Sequence, residues 1–268
     1  MEMNNLRAVF LVMVLLGLPS IAWEEQEIIG KISQINDTIY KDYRNFYTLE
    51  NLEDLGASIL GELTLGLYVQ DKNIQDWVQE NRNDTSNDVA KFGESFGNGI
   101  YILPPLAGFY LYGHFSENEK VRRIALLSLE SYAVSGFFCL TIKFATHRHR
   151  PNEADSPDIW DGPSLSTSHL SFPSGHTQSA FSIATVIASE YSAIAAIPPL
   201  AYGLATLTAL SRVHNNAHWT SDVLFGSAIS YFTAKAVIRR HEKDGGNNFI
   251  VLPLVDSKSA GFLLSYQF

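Results

Sequence analysis

The stretch that most constrains the fold is 177–210. It is 34 residues of mostly Ala, Ser, Ile and Leu, interrupted by Pro198-Pro199. Apolar and small residues at this density form buried helix, and a proline pair inside a helix removes backbone hydrogen bonds and clashes with the preceding turn. The stretch therefore reads as two helices of roughly 15 residues each, joined near the prolines. Two antiparallel helices of equal length return the chain to its starting end. Ser174-Gly175-His176, just before the stretch, is thereby brought beside Ser211-Arg212, just after it.

The flanking sequence extends the same end of the molecule. An apolar helix is expected over 121–146, opened by a capping box of Ser116 with Glu119 and ended before Pro151, which disfavours helix in the residue ahead of it. Such a helix is roughly 40 Å long. It places Lys143 in its last turn and Arg150 just beyond. Residues 152–172 are rich in Pro, Asp, Ser and Gly and read as a loop. A last helix is expected over 220–240. Upstream, 90–115 has a glycine-bearing helical pattern, 56–80 carries two shorter apolar stretches, and 24–55 is a polar, acidic helical or irregular arm. Residues 249–254 and 262–268 are β-prone around a polar turn, which suggests a terminal hairpin. The expected fold is all-α, a helical bundle with a small C-terminal β-hairpin. Its divisions are a signal peptide at 1–22, an N-terminal arm at 23–83, the bundle at 84–245 and the hairpin at 246–268.

Residues 9–18 are apolar, Arg7 precedes them, and Ser20-Ile21-Ala22 offers small residues for cleavage after Ala22. This pattern points to export and a periplasmic location. Cys139 is the single cysteine, so the chain has no internal disulfide, and its apolar neighbours suggest a buried position. A net charge of −9 and the absence of a basic run argue against a nucleic-acid partner. The mean hydropathy of +0.00 and the charges at Glu130 and Glu190 favour a soluble bundle. The apolar helices and the aromatic-ended tail keep membrane contact open.

The residues gathered at one end have a common chemistry. Lys143, Arg150 and Arg212 supply three cations. Arginine presents a planar fork to two phosphoryl oxygens, and lysine adds a point charge. Ser174 and Gly175 precede a helix whose N-terminus favours an anion. His218 and Asp222 are four apart, so on a helical turn the carboxylate can accept the Nδ1 proton and leave Nε2 free to attack. His176 follows the glycine and can protonate a leaving oxygen, then activate water. His147, His149 and His214 are not needed for this chemistry. His114, His169 and His241 read as surface or loop residues, and Trp219 as packing. A metal site built from His176, His214, His218 and Asp222 is disfavoured by the three cations around it.

These blocks, Lys143 with Arg150-Pro151, Pro173-Ser174-Gly175-His176, and Ser211-Arg212 with His218 and Asp222, resemble the three motifs of the type 2 phosphatidic acid phosphatase family. That superfamily includes bacterial class A acid phosphatases, membrane lipid phosphatases and vanadium haloperoxidases. The resemblance covers about 84–240. It implies a helical bundle and a phosphatase that forms a phosphohistidine without a metal or other cofactor. His218 would be the nucleophile, Asp222 its orienting partner and His176 the acid/base. Lys143, Arg150, Ser174, Gly175 and Arg212 would be phosphate ligands. The implied partner is a phosphate ester, soluble or lipid-linked, a polyprenyl diphosphate among the candidates. A vanadate-dependent haloperoxidase and a non-catalytic anion-binding envelope protein are the competing readings.

Overall fold

The computed structural model describes residues 57–243, 248–256 and 259–267, with side chains over 63–242. The expected signal peptide and most of the arm lie outside the described residues. Among the described residues seven helices follow one another: α1 (Ala57–Glu80), α2 (Asp84–Ser95), α3 (Gly99–Phe115), α4 (Glu119–Thr146), α5 (Gly175–Glu190), α6 (Ile197–His214) and α7 (Thr220–Lys243). Residues Asn248–Asp256 and Ser259–Gln267 run as antiparallel strands, β1 and β2, with Asn248 opposite Gln267.

The expected α5–α6 hairpin is present, with its break in a different place. The chain turns at 191–196, and Pro198 and Pro199 lie in the first turn of α6. Proline is tolerated there because the first amides of a helix have no intrahelical partner. The cap of α4 also differs from the sequence reading. Asn118, not Ser116, is the N-cap, and its side chain accepts from the Val121 amide at 3.1 Å. The Ser116 hydroxyl instead donates to Tyr112 O at the end of α3. The region 90–115 is two helices, since α2 ends at Ser95 and Asn98 caps α3.

α5 is the central helix, packed against α4, α6 and α7. Leu127, Val186, Ala234, Val237 and Ile238 form one core cluster across α4, α5 and α7. Ala180, Ala184 and Ala205 form a second between α5 and α6. Each fully buried Leu or Val contributes about 1.5–3 kcal/mol, whereas the alanines chiefly let helix backbones approach. One polar group of the bundle interior is paired internally: Ser135 and Ser182 hydroxyls lie 2.7 Å apart, and Gln178 donates to Ser135 at 2.6 Å.

α1 is part of this assembly. It packs on α6 and α7, and Gln75 donates to Val213 O. Glu130, whose charge argued for a water-facing helix, is turned inward, 1% exposed, and paired with Arg240 and His241. His241 is therefore buried, contrary to the surface position expected for it. Glu190 pairs with Arg123 at 3.1 Å. Part of the outer surface is apolar instead. α3 exposes Ile100, Tyr101, Phe109, Leu111, Tyr112 and Phe115, and α4 adds Phe137 and Leu140. Among the described residues, α4 is the one helix long and apolar enough to cross a membrane by length and composition, and half of its most apolar window is buried.

Candidate active site

Four helix ends meet at one pole: the C-termini of α4 and α6 and the N-termini of α5 and α7. The hairpin geometry explains the meeting of α5 and α6, and two close helix contacts fix the rest. A Cβ at Gly226 of α7 would lie 2.8 Å from Ser174 O, so only glycine lets α7 sit against the turn before α5. A Cβ at Gly97 would lie 2.5 Å from His176 O, and this seats the α2–α3 turn beside the start of α5.

Ser174 is the N-cap of α5 and is fully buried. Its amide donates to Asp222 O at 3.0 Å, and its hydroxyl accepts from Thr177. The Ser174 amide is thus used to dock α7. The amides of Gly175, His176 and Thr177 lie in the first turn, where no intrahelical acceptor exists. A Cβ at Gly175 would meet only Lys143 Cε, at 3.9 Å. Lys143 Nζ donates to Leu170 O at 2.5 Å and Ser171 O at 3.3 Å. It therefore clamps the end of the 152–172 loop and keeps one donor in reserve.

Arg212, in the last turn of α6, is 7% exposed. Its Nη1 lies 2.6 Å from Glu94 Oε1, but without hydrogen-bond alignment, and its Nε and Nη1 both lack a hydrogen-bond partner. Buried guanidinium N–H groups left without hydrogen bonds are costly even beside the Glu94 carboxylate, and a phosphoryl oxygen pair matches the guanidinium fork. His176 Nε2 is 3.9 Å from the same Glu94 oxygen. Burial, then Arg212, with Arg150 and Lys143 adding to it, lowers the His176 pKa to about 4, against a raising influence from Glu94. His218 lies in the turn between α6 and α7 and is 3% exposed. Burial first, with Lys143 and Arg150 adding to it, lowers its pKa to about 3, opposed by Asp222. Lys143, Arg150, Arg212 and both histidines thus share one electrostatic environment.

Asp222 does not sit as simply as the sequence spacing suggests. His218 Nδ1 is 3.6 Å from Asp222 Oδ2, an ion-pair distance longer than a hydrogen bond, and Nδ1 has no hydrogen-bond partner. Asp222 Oδ2 accepts from Ser171 Oγ at 2.5 Å and the Trp219 amide at 2.9 Å. Oδ1 accepts from Arg148 Nη1 at 2.5 Å.

Arg148, Asp71, Ser171 and Glu94 were not found by reading the sequence. Arg148 is fully buried and links two carboxylates, Asp222 and, through Nη2 at 2.8 Å, Asp71 of α1. Asp71 also accepts from the Ser221 amide and hydroxyl. The guanidinium lies within 4.8–5.6 Å of the Tyr68, Trp160 and Trp219 ring centres. Trp219 is buried and donates to His149 O. His147 caps α4 in a left-handed conformation (φ 43°), with its ring bonded to Phe144 O and Ser166 O. His214 bonds Ser86 from α2.

Residues 124–245 match the model of the PAP2 superfamily. Lipid A 1-phosphatase of Porphyromonas gingivalis is 29% identical over 160 residues, which cover 59% of this chain and 32% of that protein's length. The crystal structure of the first transmembrane PAP2 type phosphatidylglycerolphosphate phosphatase from Bacillus subtilis superposes with a TM-score of 0.52 at 20% identity, covering 80% of this chain and 96% of that one. The family match thus spans the helices that build the pole, and the bundle fold is shared with that phosphatase structure.

Proposed function

We propose that the chain is a phosphatase that hydrolyses phosphate monoesters carried on lipids, through a phosphohistidine on His218. The observation that carries this reading is the set of buried groups without hydrogen bonds at one pole: Arg212 Nε and Nη1 and His218 Nδ1, beside Lys143 and the first turn of α5. Arg212, Arg150, Lys143 and the amides of Gly175 and His176 hold the phosphoryl oxygens, with Ser174 fixing the turn. His218, kept neutral by burial and by Lys143, attacks phosphorus through Nε2. The ester oxygen departs with a proton from His176. Water, deprotonated by His176, then displaces His218 and releases phosphate, which restores both histidines. Asp222 takes up the Nδ1 proton interaction as the 3.6 Å separation closes in the bound state. No step calls on a metal.

Two findings support a lipid-linked substrate. The relatives are named for lipid phosphates. The apolar face of α3 begins at Gly99, next to the pole, so a bilayer against α3 and α4 would present head groups near the site. Export to the periplasm through residues 1–22 belongs to the same proposal. Phosphate release from phosphatidate in mixed micelles, compared with a soluble aryl phosphate in chelator, tests it. Faster turnover of the lipid supports the proposal, and hydrolysis of the aryl ester alone would reverse the substrate assignment.

A further inference from the structure

We propose a divalent metal site, of the zinc class, at the rim of the pole, formed by His149, Asp161 and His169. The local backbone explains why these side chains meet. Arg148 and Trp160 form an antiparallel bridge, flanked by His149 N–H to Ile159 O and Asp161 N–H to His147 O. Side chains alternate across paired extended segments. Arg148 and Trp160 therefore share one face, where the guanidinium lies over the indole at 4.8 Å, while His149 and Asp161 share the opposite face.

Three features fit a metal. His149 Nε2 is 2.9 Å from Asp161 Oδ2, and one ligand atom from each of His149, Asp161 and His169 lies within 4.8 Å of the others. Zinc–ligand bonds of about 2.0–2.2 Å set ligand atoms roughly 3.3 Å apart in a tetrahedron, so binding requires the ligand atoms to draw together and the two imidazoles to rotate out of their parallel stack at 3.7 Å. Next, His169 Nδ1 is 3.0 Å from Glu153 Oε2. A carboxylate that accepts the Nδ1 proton leaves Nε2 as the metal-binding nitrogen and orients the ring. Finally, residues 151–172 contain Glu153, Asp155, Asp158 and Asp161 and no lysine or arginine, so the loop presents negative charge to a cation. Three protein ligands leave a fourth position for water.

Such a metal fastens the middle and end of the 151–172 loop to His149, just ahead of it. It holds the loop and takes no part in the chemistry at His218, so it is distinct from the proposed phosphatase mechanism. The test is Zn²⁺ binding by the full chain, measured by equilibrium dialysis with metal analysis and by protection of residues 151–172 from proteolysis. One Zn²⁺ per chain is expected, with affinity falling at least tenfold in His169→Ala and Asp161→Asn and unchanged in His176→Ala. Glu153→Gln should weaken binding by about 10–100-fold, as for other groups that orient a ligand. In chelator, His169→Ala should keep the wild-type rate on an aryl phosphate, which separates failure of the metal site from failure of the phosphatase reading. No bound zinc at micromolar free ion, or zinc retained in His169→Ala and lost in His176→Ala, would overturn the proposal.

Discussion

At the scale of single residues, the two histidines differ in what the site asks of them. A histidine with a lowered pKa is neutral above that value, which suits His218 as nucleophile through the neutral range. In the proposed reaction His176 must be protonated to release the ester oxygen, yet the free site favours its neutral form above about 4. The alkaline limb of kcat/KM, which reports the free enzyme, is therefore expected on the acid side of neutrality. Bound phosphate, by adding negative charge, should move the limb of kcat to higher pH. Glu94 is the carboxylate that raises His176, so Glu94→Gln should move the kcat/KM limb to lower pH; a limb that stays in place would show that Glu94 does not act on His176. Arg148 lies behind this chemistry. Arg148→Met leaves Asp71 and Asp222 buried without a cation and should destabilise the fold by about 3–5 kcal/mol, read from denaturant unfolding. His218, His176, Asp222 and the three cations were legible because their spacing follows helical and hairpin periodicity. Asp71 was not, because it lies 77 residues from Arg148 on a helix outside the motifs, and nothing local marks its partner.

At the scale of elements, the hairpin of α5 and α6 does what its length requires, since both site blocks lie at its open end. The sequence showed the proline pair but placed the break at the prolines themselves; the first-turn preference of proline puts it before them. The docking of α7 depends on Gly226, which no hydrophobic pattern reveals, because the constraint comes from the backbone of Ser174 across the interface. Gly226→Ala should force α7 away from Ser174 and cost about 1–3 kcal/mol. It should also lower kcat, because both Ser174 and His218 move with the interface. Unchanged turnover with unchanged stability would show that the α7 contact is not what sets the site.

For the whole molecule, the apolar surface and the polar interior reverse the reading that composition invites. A mean hydropathy of zero averaged inward charges such as Glu130 with outward aromatics on α3. Burial direction, which composition does not contain, separates them. Ile100→Asp with Phe109→Asp should weaken binding of the chain to phospholipid vesicles while leaving turnover of a soluble aryl phosphate unchanged; equal vesicle binding would remove α3 as the contact face. The central claim is the covalent intermediate. Its most direct measurement is rapid acid-free quenching of the full chain during turnover of a labelled phosphate ester, followed by peptide mass spectrometry. The account predicts one acid-labile, base-stable phosphoryl group on His218, absent in His218→Ala, whose kcat falls by roughly 10⁴–10⁶. A phosphoryl group on another residue, or near-normal turnover in His218→Ala, would contradict it.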